Sequence, residues 1–392
     1  MEVAVLMPGS GEDLILAVNS GSSSLKIGLF QEINGQETAI LKGAANGVGK
    51  SNGRLSIADV HGRVLHDESY TLPSQTHALS EVIRALQKFA PTTPVCVGHR
   101  VVHGGPHLRQ HQRVTEDLLN RLKAAVHFAP LHIPTAIALI KETGRILPEA
   151  VQYACFDTAF HAHMPESSRR FALPDELYDK GIERYGFHGL SYESIVQRLG
   201  ARVPSRMICA HLGSGASLVA VREGVSIDTS MGLTPTGGIP MATRCGDLDP
   251  GVLIFLMRTE TLDADGFEKL VNHESGLLAL ADGESDMQRL EARAKQGDRK
   301  AETAIDIFAT AVRKFIGAYA AELGGLDLLV FTGGIGEHSQ YVRERICRGL
   351  EFLGIARSAE EERAKVIVMT SEEEVQIARH CRQLSSAARK SL

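Results

Sequence analysis

Short apolar runs open the chain. Leu14–Asn19 and Leu25–Phe30 have strand length and are separated only by a Gly/Ser turn, a pattern that predicts a β-hairpin. Thr38–Lys42 and Gly53–Val60 read as further strands around an Asn-Gly turn, the second alternating apolar and polar positions. The period then changes: Leu79, Val82, Ile83, Leu86 and Phe89 fall at helical spacing within His77–Ala90, and Pro91 ends the run. Long helices are expected at Asp249–Arg258 and Lys300–Leu323, the latter stopped by Gly324-Gly325 before an apolar strand, Leu326–Phe331. Strands followed by alternating helices and strands predict an α/β protein, richer in helix toward its C-terminal half.

One pattern occurs twice. LILAVNSGSSSLKIGLF (Leu14–Phe30) and MICAHLGSGASLVAVREG (Met207–Gly224) each run as apolar strand, polar residue, Gly-Ser turn, Ser-Leu and apolar strand. Two common hairpins could produce this likeness; a duplicated domain with its two turns facing a cleft is the sharper reading. A chain of 392 residues exceeds what one core usually carries, so two domains are expected.

Composition narrows the class. With 42 basic against 47 acidic side chains, a net charge of −5 and no Lys/Arg block, the chain lacks the footprint of a nucleic-acid binder. Its six cysteines are scattered without a C-x-x-C pair, as in a reducing compartment. No apolar run is long enough for a membrane span and no signal-peptide pattern appears, so a cytoplasmic enzyme is expected.

Four motif matches compete for the chemistry. AANGVGKS (Ala44–Ser51) nearly fits a phosphate loop, but a strand-like run follows it where that loop requires a helix, so it reads as a hairpin turn. Ser23 and Lys26 have the S-x-x-K spacing of serine hydrolases, yet strand patterning follows and K-T-G is missing. His161 and His163, like His99 and His103, could ligate a metal, but no third ligand is evident and structural roles are favoured. GGIGEHS (Gly333–Ser339) departs from G-x-G-x-x-G at its last position, leaving a nucleotide-backbone contact rather than a nicotinamide site.

The survivors share anion handling. Tight Gly/Ser turns present backbone N–H groups that cradle phosphate oxygens, and Lys26 adds a point charge. Arg100 in GHRVVHGG and Arg244 in MATRCGDLDPG occupy similarly compact settings, and the guanidinium fork suits carboxylate and phosphate oxygens. Together they suggest phosphoryl transfer, which rests on positioning and charge neutralisation.

With VNSGSSSLK (Val18–Lys26), GHRVVHGG (Gly98–Gly105), FAPLH (Phe128–His132), FDTAFH (Phe156–His161), RYGFHGLS (Arg184–Ser191), HLGSGASL (His211–Leu218), DTSMGLTP (Asp228–Pro235), TRCGDLDPG (Thr243–Gly251) and FTGGIGEHS (Phe331–Ser339), the chain closely resembles the acetate kinase family, in the family's order over nearly its whole length. The resemblance implies the fold of the actin, Hsp70 and sugar kinase superfamily: α/β, with duplicated ribonuclease-H-like domains and ATP in the interdomain cleft. It implies an N-terminal domain over residues 1–158, completed by a C-terminal helix at 372–392, and a nucleotide-binding, dimerising domain over 159–371. The implied reaction is reversible transfer of the ATP γ-phosphoryl to acetate, giving acetyl phosphate and ADP, with Mg²⁺ and in a homodimer.

Carried over residue by residue, Asn19, Ser22, Ser24 and Lys26 form the first phosphate turn, with Asn19 and Glu373 toward Mg²⁺. Arg100 and Arg244 hold the acetate carboxylate and the phosphoryl group in flight, Asp157 sits with them, His188 donates to that phosphoryl, and His132 and His211 line the site. Val102, Leu131, Phe187 and Pro235 match the pocket for the acetate methyl. Gly213, Ser214 and Gly215 form the second phosphate turn, and Gly333, Gly334, Ile335 and Gly336 touch the nucleotide. A carboxylate is already a nucleophile, so direct in-line attack without a general base is expected.

Some positions depart from the family pattern. Ser214 stands where an asparagine is common, Ala242 where a glycine is common, and an extra residue near SEEEVQIAR leaves Glu372, Glu373 and Glu374 open as the metal carboxylate. Propionate remains the alternative substrate, since one methylene in an apolar pocket discriminates by only about 10- to 200-fold. An ATP-gated binding protein on the same fold would not need Arg100, Arg244 and His188 together.

Overall fold

The computed structural model describes residues 13–21, 23–260, 262–355 and 364–390. They divide into two compact units: those within Met1–Ala159 and Glu372–Leu392 form the first, and those within Phe160–Ser371 the second.

The first unit is built on a mixed eight-stranded sheet. Its strands are β1 (Ile15–Ser20), β2 (Ser24–Ile33), β3 (Gln36–Asn46), β4 (Gly53–Asp59), β5 (Val64–Tyr70), β6 (Cys96–Val101), β7 (Gln112–Arg113) and β8 (Val151–Phe156), in the spatial order β5-β4-β3-β2-β1-β6-β8-β7. The expected hairpin is β1–β2, antiparallel, with Asn19 directly opposite Lys26. AANGVGKS forms the end of β3 and its turn into β4, with Gly47 and Gly49 at positive φ and a strand following, so no helix N-terminus faces it. Lys26 lies on a strand, which removes the serine-hydrolase reading. Helix α1 (Gln75–Gln87), capped by Ser74, buries Leu79, Val82, Ile83 and Leu86 against the sheet. It approaches closely at Gly43, where a methyl group would come within 2.9 Å of Ile27, Ile57 and Val82. Helix α2 (Ile133–Ile146) adds Leu139 to this core.

The C-terminal helix, Glu373–Lys390, returns to the first unit. Ile377, Ala378 and Cys381 are fully buried, and the backbone of β6 must be bare at Gly98 because a methyl there would meet Ile377 and the Cys381 Sγ at 2.4 and 2.5 Å. Arg382 secures the helix to Glu37 and Glu32 on the β2–β3 hairpin.

The second unit repeats the plan with fewer strands: β9 (Arg206–Leu212), β10 (Ala216–Arg222), β11 (Val225–Thr229), β12 (Leu328–Thr332) and β13 (Lys365–Val368), ordered β11-β10-β9-β12-β13. In both sheets an antiparallel hairpin carries a third antiparallel strand on one side and two parallel strands on the other; β3-β2-β1-β6-β8 matches β11-β10-β9-β12-β13 strand for strand. This is the duplication that the repeated hairpin sequence anticipates, in the ribonuclease-H-like arrangement that the family resemblance implies. Around the second sheet lie α3 (Gly189–Leu199), α4 (Pro250–Thr259), α5 (Met287–Lys295), α6 (Arg299–Leu323) and α7 (Gly333–His338). Helix α6 runs 25 residues, its Asp298 cap accepting from the Lys300 and Ala301 N–H groups and Gly324 closing it at φ +75°. Its apolar stripe, including Ile305, Phe308, Val312 and Ile316, is buried. All six cysteines are free thiols, and no described helix is long and apolar enough to cross a membrane.

Candidate active site

In the first unit the sequence-predicted residues gather at the ends of β1, β6 and β8. Arg100, near the end of β6, aims Nε and Nη2 at Asp157 Oδ2, at 2.9 and 2.5 Å, and Nη1 at Asn19 Oδ1 and the Ser20 carbonyl, both at 3.3 Å. Asp157 is fully buried just beyond β8. Burial opposes the charge on Arg100, but Asp157, Glu373 and Glu374 outweigh it, so the guanidinium pKa is raised and the group stays cationic.

The amide of Asn19 donates to both Glu373 Oε2 at 2.8 Å and Glu374 Oε1 at 2.7 Å, at the start of the C-terminal helix. Of the three glutamates the sequence left open, Glu373 and Glu374 thus both meet Asn19, and the backbone carbonyl of Glu372 accepts from the Gln376 N–H. Lys26 is exposed opposite Asn19, and Ser24 begins β2 at the turn; Ser22 lies outside the described residues.

The apolar candidates in this unit are less uniform. Val102 is half-buried just after β6, and Phe128 packs on His103 with ring centroids 5.5 Å apart, which brings the FAPLH segment to GHRVVHGG. Leu131 is 49% exposed, and His132 is the half-buried N-cap residue of α2. His99 is buried beside the Gln152 amide, 2.8 Å from its Nε2, and burial pushes its pKa down to about 4.

In the second unit, two stacked imidazoles organise the predicted residues. His188, at φ +60° before α3, and His211, on β9, stack with centroids 4.3 Å apart and planes 17° from parallel. Each ring is oriented through Nδ1: His188 lies 2.8 Å from Ser217 Oγ, itself 2.5 Å from Tyr192 OH, and His211 lies 2.9 Å from Ser191 Oγ. His161 is neutral, pushed down to about 4 by burial, and its Nε2–H donates to the Phe187 carbonyl at 3.2 Å, fixing the residue before His188. Its Nδ1 lies 2.9 Å from Ser226 Oγ, so both ring nitrogens have protein partners.

His188 Nε2 and Arg244 Nη1 both look at Gly215. A methyl on Gly215 would come within 3.3 Å of the imidazole nitrogen and 3.6 Å of the guanidinium nitrogen, so the absent side chain keeps this point open. Arg244 Nη1 donates to the Pro235 carbonyl at 3.2 Å, and its backbone carbonyl accepts from Met241 N–H. Gly213 N–H donates to the Gly215 carbonyl, closing the second turn, and a methyl on Gly213 would stand 3.9 Å from both Gly334 N and His211 Nε2. The two glycine-rich stretches therefore meet. Beside them opens a cavity of about 740 Å³, lined by Gly213, Ser214, Gly334 and Ile335 and by Met287, Glu291 and Lys295 of α5. Gly336 is a buried residue of α7 itself, and Gly333, which opens that helix, takes φ +77°. Phe187 is buried and Pro235 half-buried.

Both departures in this unit are accommodated. Ala242 is not at positive φ, so no glycine is required there, and its N–H donates to the Ser214 carbonyl at 3.3 Å. The Ser214 side chain is exposed.

Residues 14–379 match the Acetokinase family. The chain belongs to the acetokinase family. Among its relatives, the acetate kinase of Methylocella silvestris is 40% identical over 93% of this chain and 96% of its own, and that of Bacillus subtilis is 39% identical over 93% and 98%. Among solved structures, the acetate kinase of Porphyromonas gingivalis matches with a TM-score of 0.83 at 33% identity, covering 95% of this chain and all of that one. A propionate kinase from Francisella tularensis matches with a TM-score of 0.86 at 32% identity over the same shares. As an acetokinase, the chain is a phosphotransferase, in keeping with the cationic, glycine-lined geometry.

Proposed function

We propose that this acetokinase transfers the γ-phosphoryl group of ATP reversibly to acetate, giving acetyl phosphate and ADP. The observation that carries the reading is the joint aim of His188 Nε2 and Arg244 Nη1 at the open point over Gly215 in the second phosphate turn. These groups donate to and neutralise the transferring phosphoryl, the main stabilisation open to a reaction that needs little covalent help. The turns at Gly213–Gly215 and Gly333–Gly336 hold the nucleotide phosphates, and the cavity beside α5 receives the nucleoside. Lys26, Ser24 and Asn19 belong to the first phosphate turn. Arg100, kept charged and held by Asp157, binds the acetate carboxylate. Val102, Leu131, Phe187 and Pro235 meet the acetate methyl, and His132 and His211 line the site.

Toward Mg²⁺, Glu373 and Glu374 would supply two neighbouring carboxylates, the hard anionic oxygens such a cation takes, while the Asn19 amide nitrogen donates to both and its oxygen accepts from Arg100. When bound, the ion supplies charge neutralisation to the phosphate oxygens. The acetate carboxylate is itself the nucleophile. Asp157 is committed to Arg100, and Glu373 and Glu374 to Asn19, so these carboxylates serve as holders of cations and donors.

Helix α4 supports a homodimer. Its VLIFLM run, Val252–Met257, contributes no buried residue, and Ile254, Phe255 and Met257 are 50%, 61% and 53% exposed. An apolar helix without cover is a contact surface.

The test is acyl phosphate formation, trapped with hydroxylamine, from MgATP with acetate, propionate and butyrate in parallel. Acetate is expected to give the highest kcat/KM. Propionate in first place would favour the second reading, which the propionate kinase relative supports, and no acyl phosphate from a folded, ATP-binding protein would remove both. The same preparation is expected to sediment as a dimer; a monomer at micromolar concentration would remove the role of α4.

A further inference from the structure

Arg184 lies outside the groups that face the phosphate turns, yet it touches both segments that carry them. Its Nε donates to the Ser168 carbonyl at 3.1 Å, while Nη1 reaches the Thr229, Ser230 and Met231 carbonyls at 3.0, 3.4 and 3.4 Å. Asp228 Oδ1 stands 3.7 Å from Nε, and the guanidinium lies over the Phe171 ring, 5.7 Å from its centroid. The backbone is tied in the same place: Arg184 N–H donates to Arg169 O, and Tyr185 N–H to Gly232 O.

Two routes leave this knot. Along the chain, Tyr185, Gly186 and Phe187 lead to His188, with Gly186 at φ +75° pressed so close to Thr229 that a methyl would come within 2.4 Å of its side chain. In the other direction, Thr229 ends β11 and Ser230 and Met231 begin the loop that reaches Pro235, whose carbonyl holds Arg244 Nη1. One guanidinium therefore clamps the root of the His188 segment to the root of the segment that fixes Arg244.

We infer that Arg184 is a positioning residue that sets the spacing between His188 and Arg244 for phosphoryl transfer. This role rests on the phosphotransfer reading above. A displacement of about 1 Å between such groups costs on the order of 10²-fold in rate. The clamp needs the rigid fork: carbonyls on two sides of the guanidinium are met at once, which a single ammonium on a flexible stem does not do. The nucleotide cavity shares none of these contacts.

The test compares wild type with Arg184→Lys, which keeps the positive charge facing Asp228. The expected result is a fall in kcat of about 10- to 100-fold, with the ATP dissociation constant within about twofold and a wild-type circular dichroism spectrum. Arg184→Ala is expected to regain turnover when methylguanidinium is added, a rescue that a merely structural role would not give. An Arg184→Lys protein with wild-type kcat, or one that loses nucleotide binding in parallel with turnover, would overturn the inference. Wild-type activity measured alongside separates the two claims: an inactive wild type removes the phosphotransfer reading and this role with it, whereas an active wild type matched by Arg184→Lys removes this role alone.

Discussion

Arg244→Ala is expected to lower kcat by about 10³-fold or more while leaving ATP affinity within a few-fold. The guanidinium lies beside the second phosphate turn, at the point over Gly215 that His188 also faces. Its work is done when charge redistributes over the transferring phosphoryl, so the loss falls on the transition state and not on the bound nucleotide. The backbone around it does not depend on the side chain: Met241 N–H donates to the Arg244 carbonyl, and Cys245 N–H to the Val271 carbonyl. The cavity assigned to the nucleoside is lined by α5 and the glycine turns, without Arg244. Rate measurements beside a calorimetric ATP titration check the split. Parallel losses of turnover and affinity would contradict the assignment of Arg244 to the phosphoryl in flight.

The second large effect belongs to Asp157, and it combines stability with rate. Asp157 is fully buried and its Oδ2 takes two donors from Arg100, whose side chain is 14% exposed. Asp157→Ala leaves a desolvated guanidinium without its nearest counter-charge, a change that typically costs about 3–5 kcal/mol. Glu373 and Glu374 remain near enough to support the charge on Arg100, which places the expected loss at the lower end, about 3 kcal/mol. Turnover should fall with it, because the fork that points Arg100 is gone. Chemical denaturation read by circular dichroism checks the stability. Asp157→Asn, which keeps one acceptor oxygen, should recover part of the stability while remaining slow. An Asp157→Ala protein as stable and as fast as wild type would mean that the pair neither supports the fold nor aims Arg100.

Local patterns carried much of this in the sequence. Apolar runs on either side of a Gly/Ser turn located β1–β2 and β9–β10, and the helical spacing of Leu79, Val82, Ile83 and Leu86 located α1. These features are set by residues a few positions apart, so the one-dimensional pattern contains them. The strand after AANGVGKS and the strand through Lys26 follow from the same reasoning and dispose of two tempting motifs.

Long-range partners were harder to read. The Asn19 amide meets Glu373 and Glu374 across more than 350 positions, and three consecutive glutamates at a helix start leave the helical phase undecided. A usable signal existed: Ile377, Ala378 and Cys381 are the buried face of that helix, and Glu373 and Glu374 lie three or four residues before Ile377 and Ala378. The left-handed conformation of His188 had only a weak signal: histidine is enriched at positive φ, yet few histidines adopt it, and the contacts that surround this one, Ser217 at Nδ1 and His161 at the Phe187 carbonyl, are distant in sequence. The exposure of Leu131 beside the burial of Phe187 was likewise invisible, because two apolar residues read alike until their neighbours are known.

The most direct test of the central claim follows the configuration of phosphorus. ATP made chiral at the γ-phosphorus with oxygen isotopes is converted with acetate, and the configuration of the acetyl phosphate is determined. Direct attack by the acetate carboxylate, with Asp157, Glu373 and Glu374 holding donors rather than accepting phosphoryl, predicts inversion. Retention would mean two successive displacements through a phosphorylated side chain and would contradict the account.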